Sequence, residues 1–208
     1  MSGLRTPPQT PPDAVRRWMD DGTARFLAAV DALPDAEFAA ATALPGWSRA
    51  HLVAHVHFNA EALLRLLHWA RTGERTPMYG SAGQRGAEIE EGAARSPSRL
   101  RELVHASARE LAGGVDGLPD EAWDNEVVTA QGRTVPAREV LWMRTREVAV
   151  HTVDLDVGTG FADLPEDLNT ALVADAARKH STAGSEAAAL AAWLTGRAAK
   201  APRLGPWL

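Results

Sequence analysis

Apolar residues recur along most of this chain at the three- and four-residue intervals of helices that pack on one face. From Asp13, the series Val15, Trp18, Met19, Phe26, Ala29, Val30 and Leu33 predicts a first helix, weakened locally by Gly22 and stopped by Pro34. The stretch LPGWSRAHLVAHVHFNAEALLRLLHWARTG predicts a second, strong helix, with Ser48 as its N-cap and Gly73 as its C-cap. Residues 74–96 carry Gly, Pro, Ser and charge without a clear period, and read as a long loop able to cover a site. A third helix is predicted over Pro97 to Val115, with Leu100, Leu103, Val104 and Leu111 on its apolar face. Two short β-prone runs around Ala130 to Gly132 predict a hairpin, and Pro136 leads into a fourth helix over about residues 137–157. Past Asp163, two further short helices are expected, and the end PRLGPWL is expected to run over the surface.

Four amphipathic helices with one long crossover make a mainly α bundle, here with a small β-hairpin and a short, mostly helical C-terminal appendage. The expected divisions are a disordered lead-in over 1–12, which holds four prolines and little to bury, the bundle over 13–164, and the appendage over 165–208. No internal repeat is evident.

Composition narrows the function classes. The 208 residues are 45% hydrophobic and 24% charged, an ordinary globular balance. A net charge of −5 with no basic stripe argues against nucleic-acid binding. Neither an apolar run of membrane-spanning length nor a secretory leader is visible, so a cytoplasmic protein with no membrane partner is expected. Cysteine is absent, which excludes disulfides, thiolate metal ligands and a cysteine nucleophile. A metal must then be held by His, Asp or Glu, and any thiol chemistry must use sulfur from a small molecule.

The chemistry-bearing feature is the pair Glu147 and His151. Four residues turn a helix by roughly 400°, so both groups lie on one face in a chelating arrangement. Glu and His at this spacing also commonly form a solvated or hydrogen-bonded pair, and the spacing alone leaves both readings open. Arg144, Glu147, His151 and Asp154 make one polar stripe on a helix rich in Val, Leu, Trp and Met. Within a metal site, Asp154 or Arg144 would support the ligands from behind. The second helix offers His51, His55, His57 and His68 as further ligands. His51 and His55 share a face, His57 projects about 160° away from His55, and His55 sits near the apolar stripe, where it could point inward. No Gly-x-Ser-x-Gly setting, phosphate loop or dinucleotide fingerprint is present.

The segments TAQGRTVPAREVLWMRTREVAVHTVDL and LPGWSRAHLVAHVHFNAEALLRLLHWARTGERTPMY closely resemble the mycothiol-dependent maleylpyruvate isomerases of the DinB-like superfamily. The resemblance runs from about Val15 to Leu164, and the end AALAAWLTGRA…GPWL is similar as well. It implies a DinB-like four-helix bundle in which the His of Ala-His-Val and the Glu and His of Arg-Glu-Val-x-x-His hold the metal. Here these are His55, Glu147 and His151. It further implies Zn²⁺ or another divalent ion, mycothiol as thiol cofactor, and isomerisation of maleylpyruvate to fumarylpyruvate in gentisate breakdown. A metal-bound thiolate would add to the cis double bond, and rotation and elimination would follow. Substrate carboxylates call for guanidinium partners; Arg144 and Arg197 are the expected catalytic residues and Arg85 the expected cofactor-binding one. Members of the family carry a C-terminal α/β domain with several strands between the segments matching Asp175 and Ala187. This chain has only a short Arg/Lys/His/Ser/Gly stretch there, so Arg197 sits on a remnant. The alternatives are a mycothiol S-transferase acting on another electrophile, and a noncatalytic binding protein. A monomer or weak homodimer is expected.

Overall fold

The computed structural model describes residues 12–81, 83–182, 186–205 and 207, so the expected lead-in lies outside the described residues except for Pro12, where the first helix starts. The chain divides into two compact units, the first ending at Gly160 and the second beginning at Phe161.

The first unit is a helix bundle. Helix α1 spans Pro12–Ala32, α2 Arg49–Thr72, α3 Gln84–Ala93, α4 Pro97–Asp116 and α5 Glu139–Asp154. The cap signals of α2 act as expected. Ser48 Oγ accepts the His51 N–H while His51 Nδ1 accepts the Ser48 N–H, and Gly73 ends the helix in the left-handed region at φ 77°. α1 packs along α5, and α2 packs on α3, α4 and α5. Their apolar faces meet in a core that includes Phe26, Val30, Leu52, Val53, Val56, Leu100, Val104, Val148 and Leu155, all essentially inaccessible to solvent. Truncation of such a side chain costs about 2–5 kcal/mol, which is what gives the bundle the stiffness to hold buried polar groups in place.

Gly22, read from the sequence as a weak point of α1, is a packing residue. A Cβ there would lie 2.8 Å from Val148 Cγ2, so the missing side chain lets α1 approach α5 closely beside Glu147.

One expectation is corrected. The region 74–96 is not all loop, because Gln84–Ala93 forms α3 and buries Ile89 and Gly92 against the bundle. Its glycines hid the helix, but Gly92 serves close packing. A Cβ there would stand 2.7 Å from Ala54 Cβ and 3.0 Å from a Phe58 ring carbon. α5 also ends a turn earlier than predicted, with Asp156 at φ 54°. Arg49 Nε donates to the Leu155 carbonyl at 2.8 Å and its Nη2 to the Asp156 carbonyl at 2.9 Å, which satisfies the helix end.

The hairpin pairs β1 (Glu126–Val128) with β2 (Thr134–Pro136) in antiparallel register, Val127 opposite Val135, around a turn with Gly132 at φ 75°. In the second unit, α6 (Glu166–Thr182) and α7 (Ala187–Leu194) follow a short 3-10 turn, and no strand occurs among its described residues. His180 Nδ1 lies 2.9 Å from Glu186 Oε2 just before α7. No helix among the described residues is long and apolar enough to cross a membrane.

Candidate metal centre

The polar stripe of α5 faces α2, and the two helices bring three side chains to one point. Glu147 Oε2 lies 2.9 Å from His55 Nε2 and 3.1 Å from His151 Nε2. The imidazoles of His55 and His151 meet edge to face, their centroids 5.0 Å apart. One donor atom from each of the three residues falls within 4.8 Å of the others. Both histidines are buried, whereas Glu147 keeps partial access to solvent, which leaves the cluster an approach from one side.

The surroundings orient each member. Asp154 Oδ2 lies 2.8 Å from His151 Nδ1 and so directs the other ring nitrogen into the cluster. The Trp47 ring stands 5.3 Å from that of His55, and Arg85 Nη2 lies 3.5 Å from His55 Nδ1.

Protonation follows from these contacts. Burial pulls the His55 pKa below its usual value, and the nearby Glu147 offsets only part of this. His151 goes the other way. Burial opposes its charge, but hydrogen bonds to Asp154 and Glu147 outweigh that and push it up to about 9. Glu147 is held well below the ordinary carboxylate range, since its hydrogen bonds to His151 and His55 outweigh a desolvation that acts upward. Two imidazoles and a carboxylate form a donor set for Zn²⁺ or a similar divalent ion, with room for a further ligand. Of the groups described, only these three converge in this way.

The other candidates are used elsewhere. His51 caps α2 with Ser48 Oγ 2.6 Å from its Nδ1, His57 is turned away toward the α4 backbone at Leu103, and His68 is exposed near Glu74. Arg85 is exposed in the first turn of α3, near His55. Arg144 is buried at 1% exposure, and its Nη1 donates to the Val56 carbonyl and to Asn59 Oδ1. Arg197 belongs to the second unit, exposed after α7, and its Nη1 donates to the Thr195 carbonyl.

Sequence reasoning missed Tyr79, the chain's single tyrosine, which is half-buried and hydrogen-bonded with Arg85. Burial and the charge of Glu147 raise its pKa and keep the hydroxyl protonated, while Arg85 works against the shift. A lone Tyr in a polar loop next to Arg85 was the available signal.

The fold and the site together define a helix bundle built around a largely buried His₂Glu cluster that could hold a metal ion. Known proteins place it further. The chain belongs to the family described as the mycothiol maleylpyruvate isomerase N-terminal domain, whose model matches residues 19–156. It is similar to two solved structures of a mycothiol-dependent maleylpyruvate isomerase. One is 41% identical with a TM-score of 0.81, and the other, a histidine-to-alanine mutant, is 40% identical with a TM-score of 0.82. Each alignment covers 88% of this chain and 75% of the solved one. Among curated proteins nothing matches.

Proposed function

We propose that this protein is a metal- and mycothiol-dependent maleylpyruvate isomerase that converts the cis isomer to fumarylpyruvate. The observation that carries the reading is the convergence of His55, Glu147 and His151 inside the segment that matches the family. The donor set fits a divalent ion, because a carboxylate oxygen already lies between the Nε2 atoms of two imidazoles, and the His151 ring is held by Asp154 through its other nitrogen.

His55, Glu147 and His151 would hold the ion. When bound, it supplies the Lewis acidity that keeps a thiol ionised near neutral pH, and mycothiol supplies the sulfur whose addition and departure leave the double bond free to turn in between. The chain's own residues provide orientation and charge. Asp154 fixes the proton on His151 Nδ1, so that Nε2 would be left to hold the ion. Arg85 offers an exposed guanidinium beside His55 for a carboxylate of substrate or thiol. Tyr79, kept protonated, can donate a hydrogen bond to negative charge that develops on the substrate. Arg144, enclosed by α2, acts through its neighbours. The same reading puts the reaction in the cytoplasm, where a small thiol stays reduced.

The test is a maleylpyruvate isomerase assay on the metal-loaded full chain, with and without mycothiol. Turnover that requires mycothiol is expected. Equal turnover without any thiol overturns the mechanism, and a stable sulfur conjugate with no fumarylpyruvate replaces isomerisation by S-transfer.

A further inference from the structure

One helical turn before the metal ligands, a second polar contact joins α5 to α2. Arg144 precedes Glu147 by three residues and shares its face of α5. Its Nη1 donates to the Val56 carbonyl at 2.8 Å and to Asn59 Oδ1 at 3.0 Å. Val56 directly follows His55, so the first acceptor is the backbone beside a ligand. Arg144 forms no ion pair among the described residues, and its Nε is buried there without a partner. Asn59 is buried as well, at 4% exposure.

Such a guanidinium is costly to bury, and Met or Leu would fill the space without that desolvation. What an apolar side chain cannot provide is direction. Apolar packing fixes how closely two helices approach, and two bonds from one nitrogen to a carbonyl and an amide add a directional constraint on the rotation of α2. A metal site needs that control, because its ligands must be held within roughly half an ångström of the productive geometry.

We propose that Arg144 is a positioning residue for the metal centre, clamping α2 on α5 at Val56 and Asn59 so that the His55 imidazole meets Glu147 and His151. The inference rests on the metal-site reading given above. It assigns Arg144 to the site's framework and leaves substrate carboxylates to other groups.

Cobalt(II) titration of the metal-free full chain, followed by its visible absorption and by chelator competition, reads the site without any turnover. Arg144→Met is expected to weaken Co²⁺ binding about tenfold or more, as loss of an outer support does, and to change the absorption spectrum. Its thermal midpoint should be unchanged or higher. Arg144→Lys, which keeps the charge and one donor head, should recover part of the affinity. Asn59→Leu should shift affinity the same way, by about two- to threefold. Val104→Ala, a core truncation in α4, should lower the thermal midpoint and leave affinity and spectrum unchanged. Wild-type affinity and spectrum in Arg144→Met overturn the proposal; if that variant does not fold, unchanged affinity in Asn59→Leu does so. Should the wild-type chain bind no Co²⁺, the metal reading itself has failed. The clamp is then decided by the ¹⁵N shifts of the His55 imidazole in the metal-free protein: a wild-type His55–Glu147 hydrogen-bond signature in Arg144→Met overturns it, and loss of that signature upholds it.

Discussion

Two buried polar layers lie between α2 and α5, one helical turn apart, and they use their polar atoms in opposite ways. In the layer of His55, Glu147 and His151, one side-chain donor atom from each residue converges on one point, where a metal ion could be held. In the layer of Arg144, Val56 and Asn59, a single guanidinium reaches outward to a carbonyl and an amide, and nothing converges. Burial lowers the Arg144 pKa to about 10, against the favourable charge of Glu147, which leaves it cationic at neutral pH. Buried polarity by itself therefore says little about chemistry. Convergent lone pairs on groups that can lose protons mark the site, and donors aimed at backbone mark the frame that holds it.

The comparison breaks most sharply if the first layer is dispensable. Glu147→Gln and His151→Ala are each expected to abolish stoichiometric metal binding, measured by elemental analysis after dialysis, and to reduce isomerisation to that of free thiol in solution. Full metal content in both variants would remove the distinction between the layers.

His57, outside both layers but within reach of the Arg144 charge, predicts a stability effect with a definite sign. His57, close to Arg144, has its pKa lowered from 6.5 to about 4, first by burial and then by the positive charges of Arg144 and Arg99. Its folded pKa lies below the unfolded one, so the unfolded chain takes up the proton first as pH falls. The stability contributed by neutral His57 is complete above about pH 6.5 and is lost between there and pH 4, by up to about 3 kcal/mol. Urea melts at pH 7 and 5 should show a smaller loss for His57→Phe than for wild type; equal losses would clear His57.

Support from behind the first layer should matter less than the ligands themselves. Asp154→Ala, which frees the His151 ring, is expected to weaken metal binding by about 10- to 100-fold with stoichiometry retained. Calorimetric titration with Zn²⁺ measures this, and wild-type affinity would show that packing alone orients the ring.

The smallest effect concerns the approach of α3. Gly92→Ala forces a methyl against Ala54, next to His55, at a cost of about 1–3 kcal/mol from overpacking, less up to about 1 kcal/mol regained in helix propensity. A net loss of about 1–2 kcal/mol in chemical unfolding is the expected outcome, and a more stable variant would show that α3 has room to move.

Much of the site was legible because helix periodicity is a local property. The four-residue step from Glu147 to His151 and the three-residue step on to Asp154 place the three groups on one face whatever the rest of the chain does. Ser48 and Gly73 bounded α2 for the same reason, since caps are read from a few neighbouring residues. Helix α3 escaped notice because its Gly92 answers to Ala54 and Phe58, residues some thirty-five positions away along the chain. For Arg144 the sequence leaves two roles open, support behind the ligands and pairing with a substrate carboxylate, and its acceptors at Val56 and Asn59 are visible only once α2 and α5 are side by side.

By itself, then, the sequence determined the bundle, the polar stripe of α5 and the exclusion of protein thiols, and by resemblance it pointed to His55 of α2. Tertiary structure alone decided that His55 Nε2 comes within 2.9 Å of Glu147 Oε2. It also decided that Asp154 holds His151, that Tyr79 joins Arg85 beside the cluster, and that Arg144 faces backbone. The division has one physical cause: dihedral preferences and periodicity set which way a side chain leaves its own helix, while its partner depends on how closely two helices pack, and that is settled by distant residues such as Gly22 against Val148 and Gly92 against Ala54.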